Sequence, residues 1–232
     1  MNFNIQGLIT GADRSQLAQL PGGNFLIHQK AQEDFLSLVE LAAKDGIDLG
    51  IVSSYRDFSR QLATWNAKVR GEKAVLDSEG VELNIKNLNE EELLFAILRW
   101  NALPGTSRHH WGTDIDVFDI NTTPEGYEIQ LIPSEISQAG PYHKLGIWLQ
   151  EMVTVKKSFN FFRPYQEDLG GVAPEWWHIS HGPTAQVLEH ELSIDIILNI
   201  VDQSEILLKE TIKDNIEEIC AGYVFNIHSF NN

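Results

Sequence analysis

A chain of 232 residues that is 43% hydrophobic and carries six tryptophans can bury one well-packed core, which excludes a disordered polymer. Its formal net charge of −16 and pI near 4.8 disfavour nucleic acid and anionic lipid, so any anionic substrate must be held by specific local cations. No apolar run approaches the ~20 residues that cross a bilayer.

Residues 1–30 are mixed, with Pro21-Gly22-Gly23 marking a turn. Phe35, Leu38, Val39 and Ala42 fall at helical spacing between Ala31 and Lys44, and Gly46 ends that pattern. Ile47 to Ser53 alternates like a strand and delivers Ser54-Tyr55-Arg56 at its end, and a second helix is predicted from Ser59 to Val69. Residues 71–88 read as a loop. Asn89, with Glu92 three residues on, has the pattern of a capping box for a helix burying Leu94, Ile97 and Leu98. Pro104-Gly105 stops that helix.

Thr113 to Phe118 reads as a strand, which places Asp114 and Asp116 on one face and Ile115 and Val117 on the other. Asn121 to Gly140 is polar and turn-rich and could rim a cleft. Leu145, Trp148, Leu149, Met152 and Val153 mark another helix, and Pro174 to Ser180 returns to extended structure. From Gln186 onward the pattern is helical and acidic, with Leu208, Ile212, Ile216 and Ile219 in one stripe that could pack on the domain or on a second subunit as a homodimer. Helices and strands without regular alternation predict an α+β fold: a single domain with a small central, mainly antiparallel sheet flanked by helices. The expected divisions are an N-terminal segment 1–30, a catalytic domain 31–182 and a C-terminal acidic helical extension 183–232.

The chemistry concentrates in Ser107-Arg108-His109-His110-Trp111-Gly112-Thr113-Asp114-Ile115-Asp116 and in Glu175-Trp176-Trp177-His178. An isolated histidine is more often structural than a ligand, but here imidazoles and carboxylates recur together in the manner of a zinc site. A metal with three protein ligands keeps a position for water, and a nearby carboxylate can take that water's proton, so the combination points to hydrolysis. Residues three apart on an extended strand face opposite ways, so Glu175 and His178 converge only if the backbone turns there, as Pro174 allows. Cys220 is the only cysteine, which excludes an intramolecular disulfide and a thiolate cluster, and it reads as a small buried hydrophobe.

These residues resemble the VanY-type D-alanyl-D-alanine carboxypeptidases of the zinc LAS metallopeptidase superfamily. That family's pattern, Ser-x-His-x-x-Gly-x-Ala-x-Asp followed by Glu-x-Trp-His, is matched at Ser107, His109, Gly112 and Asp116, and again at Glu175, Trp177 and His178. An earlier Ser-x-Tyr-Arg block with a later glutamine is matched by Ser53 to Arg56 and by Gln61. The resemblance covers roughly residues 31–182.

It implies that His109, Asp116 and His178 hold Zn2+ and that Glu175 is the general base and then the proton donor to the leaving amine. It also implies that Arg56 stabilises the oxyanion or holds the substrate's terminal carboxylate. Gln61 and Ser107 would hydrogen-bond the peptide end of the substrate, and Trp177 would pack beneath the metal site. Asp114 stands where the family has alanine. It could orient a ligand histidine, receive a substrate amine, or be an ordinary partly solvated carboxylate. His110 and His181 read as neighbours of the ligands.

The implied activity is D,D-carboxypeptidase action on a peptidoglycan stem peptide. L,D-carboxypeptidase, D,D-dipeptidase and lytic endopeptidase are alternatives on the same scaffold, and a non-catalytic wall-peptide binding protein is an alternative of another class. The N-terminus lacks a basic segment followed by an apolar one, so the expected location is cytoplasmic, with a periplasmic or extracellular site only if the chain is exported by another route.

Overall fold

The computed structural model describes residues 5–155 and 157–230. Helix α1 (Ile5–Ile9) leads into a hairpin of β1 (Leu17–Gln19) and β2 (Leu26–His28), in which Ala18 pairs with Ile27. The Pro21-Gly22-Gly23 turn is the tip of this hairpin. Helix α2 (Gln29–Lys44) buries Ala31, Phe35, Leu38 and Ala42, and His28 caps it by accepting from the Lys30 amide.

Strand β3 (Leu49–Ser53) is followed by α3 (Phe58–Val69), whose first turn is capped by the Asp57 carboxylate accepting from the Arg60 amide at 2.8 Å. Helix α4 (Glu90–Leu98) opens with the expected box. The Glu92 amide donates to the Asn89 side chain at 2.9 Å, and the Asn89 amide donates to the Glu92 carboxylate at 2.8 Å. Then come β4 (Asp114–Asp119), α5 (His143–Thr154), β5 (Phe161–Phe162) and β6 (His178–His181). Helices α6 (Gly182–Glu189), α7 (Ile194–Gln203), α8 (Lys209–Asp214) and α9 (Ile216–Ile219) follow, and a π-helical turn, Cys220–Val224, continues from α9. The helical region begins at Gly182 rather than Gln186, because Pro183 suits a first helical turn that has no use for its missing N–H.

Four strands pair antiparallel in the order β3-β4-β6-β5, so the fold is α+β as the pattern predicts. One face of the sheet sends Leu49, Ile115, Val117, Phe161 and Ile179 into a core shared with α2 and α5. The alternation that buries Ile115 and Ile179 turns Asp114, Asp116, His178 and Ser180 to the other face. Register completes the arrangement by placing Asp116 opposite His178 and Asp114 opposite Ser180.

A second apolar core joins Trp65 of α3 and Leu94, Ile97 and Leu98 of α4 to residues of α6–α9. Ile212, Ile216 and Ile219 are buried there, and Leu208 packs against it half-buried. The predicted C-terminal stripe is therefore covered by the chain's own helices and offers no open apolar face to a second copy. Cys220 is buried in the same core, as expected. No helix among the described residues is long and apolar enough to cross a membrane.

Candidate active site

His109 lies in a short 3-10 turn, Arg108–Trp111, which Gly112 ends at φ +70°. A Cβ on Gly112 would meet the His28 amide at 2.9 Å, so glycine is required both for its left-handed backbone and for the close approach of β2. The ring is oriented by its Nδ1–H, which donates to the Ser54 carbonyl at 2.8 Å and leaves Nε2 3.2 Å from Asp116 Oδ2. Across the sheet, His178 Nδ1 lies 3.1 Å from Asp116 Oδ1.

His109, Asp116 and His178 each offer a ligand atom, and these atoms all lie within 4.8 Å of one another. His178 Nδ1 and Asp116 Oδ1 are buried without a hydrogen bond among the described residues, despite their proximity. Buried lone pairs that face one another unsatisfied call for a shared cation. Bonds of about 2.1 Å at tetrahedral angles separate ligands by about 3.4 Å, near the spacing found here. The residues fit a zinc ion. Burial opposes ionisation of Asp116, but His109 and His178 outweigh it and hold the carboxyl below the usual range.

Glu175 joins them because the backbone turns, as its spacing from His178 requires. The His178 amide donates to the Glu175 carbonyl at 3.3 Å, so β6 starts only at His178 and Pro174 to Trp177 is not strand. Glu175 Oε2 thus comes within 3.2 Å of His178 Nδ1. Its amide is tied to the Tyr165 carbonyl at 2.8 Å.

Arg56, Ser107, Glu175 and Trp177 wall one cavity of about 270 Å³ together with His109, Asp116 and His178. Burial pulls the Arg56 guanidinium below its ordinary value, with Asp116 and then Glu175 acting the other way. Gln61, expected to touch the substrate, is fully buried behind Arg56 instead. Its Oε1 accepts from Arg56 Nη1 at 2.8 Å and its Nε2 donates to the Ala102 carbonyl at 2.7 Å. Ser53 Oγ accepts from Arg56 Nη2 at 3.1 Å. Gln61 therefore aims Arg56 rather than the peptide.

Asp114 is no solvated carboxylate, and it does not wall the cavity. Fully buried, it accepts from His178 Nε2 at 2.8 Å, Arg108 Nε at 2.8 Å, Thr113 Oγ1 at 2.5 Å and Ser180 Oγ at 2.9 Å. Burial would raise its pKa, but Arg108 and then His178 hold it well below the usual range. The bond to Nε2 fixes the His178 tautomer and presents Nδ1 to the site. His110 and His181 stay out of the ligand set. His110 Nδ1–H donates to the Arg56 carbonyl, and His181 bonds Asp34 and Thr184.

Three further titratable residues of the cavity wall escaped the sequence reading. Tyr165, whose buried hydroxyl is pushed up to about 12, sets its ring 5.0 Å from His178 and carried no sequence signal. Lys68 follows Gln61 by seven residues on α3, a two-turn spacing that could have been read. Arg108 was overlooked because arginines are rarely buried.

The family model described as VanY, D-alanyl-D-alanine carboxypeptidase, matches residues 24–184. The chain belongs to the VanY family. Among curated proteins, an uncharacterised protein of Haemophilus influenzae (strain ATCC 51907 / DSM 11121 / KW20 / Rd) is 39% identical over 99 residues, which cover 41% of this chain and 68% of the relative. Among solved structures, VanYB in complex with D-alanine-D-alanine is similar with a TM-score of 0.51 and 21% identity, over 79% of this chain and 87% of the other. That likeness extends to the fold. A vancomycin-resistance D,D-pentapeptidase VanY variant in complex with Zn(II) gives a TM-score of 0.49 and 23% identity, over 78% of this chain and 88% of the other. This VanY chain carries Asp114 at the position where the family pattern has alanine.

Proposed function

We propose that this VanY-family protein is a zinc-dependent D,D-carboxypeptidase that hydrolyses the terminal D-Ala-D-Ala peptide bond of a peptidoglycan stem peptide. The observation that carries the reading is convergence: Glu175 and Arg56 open onto the same cavity as His109, Asp116 and His178. When bound, the zinc ion supplies Lewis acidity to the scissile carbonyl and lowers the pKa of water.

The chain's own residues do the rest. Glu175 takes a proton from the attacking water on its carboxylate and returns one to the departing D-alanine amine. Arg56 is held by Gln61 and Ser53 with its guanidinium at the cavity wall, where it meets the developing oxyanion or the terminal carboxylate. A fixed planar fork serves either role better than an ammonium. Ser107 donates to the peptide end of the substrate. The catalytic unit of this reading is residues 31–182, with the described residues 5–30 and 183–230 packed around it.

The test is a product analysis of tripeptide, tetrapeptide and pentapeptide stems by mass spectrometry, alongside metal analysis. The expected result is about one zinc per chain and release of D-alanine from the pentapeptide. Glu175→Gln should keep the metal and lose roughly 10²–10⁴-fold in kcat. Cleavage of the tetrapeptide alone, release of a dipeptide, or full activity in Glu175→Gln would overturn the assignment.

A further inference from the structure

Away from the catalytic cavity, the chain buries a second guanidinium in a way that contrasts with Arg108. Arg108 is buried with its donors taken up: Nε by Asp114 at 2.8 Å, Nη2 by Ser180 at 2.6 Å and Nη1 by Glu189. Arg163, which follows β5, is only 1% exposed, yet a single donor is used, Nη1 to Gln150 Oε1 at 2.7 Å. Its Nε and Nη2 have no partner among the described residues. Those two donors are the parallel pair that grips a carboxylate or phosphate with two bonds at once. Burial alone pulls its pKa down to about 10, with no carboxylate to offset it. A buried charge left in that state is costly unless something completes it.

A cavity of about 470 Å³ has Arg163 in its wall, with His228, Gln166 and Ser229 among its polar residues and Phe162 and Phe230 among its aromatic ones. His228 repeats the anomaly, because its Nδ1 is also buried without a partner. Its other ring nitrogen, Nε2, lies 3.9 Å from the Glu167 carboxylate, so Nδ1 of His228 and Nε and Nη2 of Arg163 are the unpartnered nitrogens that share this cavity, in a chain whose net charge is −16. We propose that this cavity is a binding site for a small oxyanion, a carboxylate or phosphate group, gripped by Nε and Nη2 of Arg163 and flanked by His228. The site is separate from the catalytic cavity but adjoins its frame. The Arg163 guanidinium stacks on Trp176 at 4.3 Å, and Trp176 lies between Glu175 and Trp177, which wall the catalytic cavity.

The experiment is an NMR titration of the uniformly ¹⁵N-labelled full chain. It follows the Arg163 Nε–H signal, assigned by its loss in Arg163→Lys, and the His228 ring. Inorganic phosphate and acetate are added in separate arms at constant ionic strength, with chloride as the control. The expected result is a saturable shift of both signals with phosphate, acetate or both, and none with chloride. The two arms distinguish a tetrahedral from a planar ligand. His228→Ala should raise Kd about tenfold, as for loss of one charge-assisted hydrogen bond, while thermal unfolding shows it folded. Absence of a saturable shift in both arms, or an unchanged Kd in folded His228→Ala, would overturn the proposal.

Discussion

Replacing Asp114 separates two jobs that one carboxylate performs. In Asp114→Asn the side chain keeps its shape, but one acceptor oxygen becomes an NH2 group facing donors from Arg108, His178, Thr113 and Ser180. Breaking a buried ion pair from one side costs about 3–5 kcal/mol. Asp114 is 0% exposed, so solvent cannot replace the lost contact, and that range is the ceiling because Arg108 keeps Glu189 as a partner. In a chain of this size 1 kcal/mol moves Tm by about 2–4 °C, so the metal-free variant should melt lower by at most about 6–20 °C. Independently, His178 loses the acceptor that fixes its Nε2–H tautomer, and loss of such a partner weakens metal binding about 10–100-fold. The assays are thermal unfolding in chelator and a competitive zinc titration at pH 7, where native Asp114 is ionised because its pKa lies below the usual range. Zinc affinity unchanged in a folded Asp114→Asn protein would refute the reasoning, leaving packing against the Tyr165 ring to orient His178.

Because Gln61 acts through Arg56, Gln61→Leu and Arg56→Lys should each lower kcat/KM, and the double variant should lose little beyond Arg56→Lys; additive losses would place Gln61 on the substrate. Burial depresses both His28 and His110 to about 4, and each presents a neutral ring nitrogen as acceptor, His28 Nδ1 to the Lys30 amide and His110 Nε2 to the Gly105 amide. Between pH ~6.5 and ~4 the unfolded chain therefore binds protons that the folded chain refuses. Stability present above that window falls as the pH drops through it, by at most ~1.4 kcal/mol per pH unit for each ring. Urea midpoints across the range should show the decline, and His110→Gln should flatten it. In the C-terminal helices, Ile219→Ala should cost about 2–5 kcal/mol in urea unfolding, since Ile219 is fully buried in the core shared with α3 and α4.

The parts of this fold that were legible in sequence are those whose cause is local. The Asn89 capping box, the apolar stripe of α2 and the alternation of Asp114 to Val117 each express a period or a short hydrogen-bonded motif within one element. The candidate site was legible for a related reason, since a glycine-ended turn, a strand and a second turn confine its candidate metal-holding residues to two short segments. What escaped depends on contacts distant in sequence. The β1–β2 hairpin gains its support by docking against Gly112, whose carbonyl accepts from the His28 amide at 2.8 Å. Gln61 reads as a polar helix residue until the Ala102 carbonyl, 41 positions away, closes over it.

The departure at Asp114 follows from Arg108. A guanidinium buried one residue before His109 must be neutralised, and its Nε and Nη2 reach the sheet face that carries Asp114 and Ser180. Among the described residues, an alanine at position 114 would leave Arg108 with Glu189 as its sole ion-pair partner and His178 with no acceptor at Nε2. Aspartate meets both needs because its two oxygens can accept from several donors at once. Glu189 lies on α6, so the same network ties the first C-terminal helix to His178. The residue that departs from the family pattern is thus the one that joins the buried arginine, His178 and, through Arg108, helix α6.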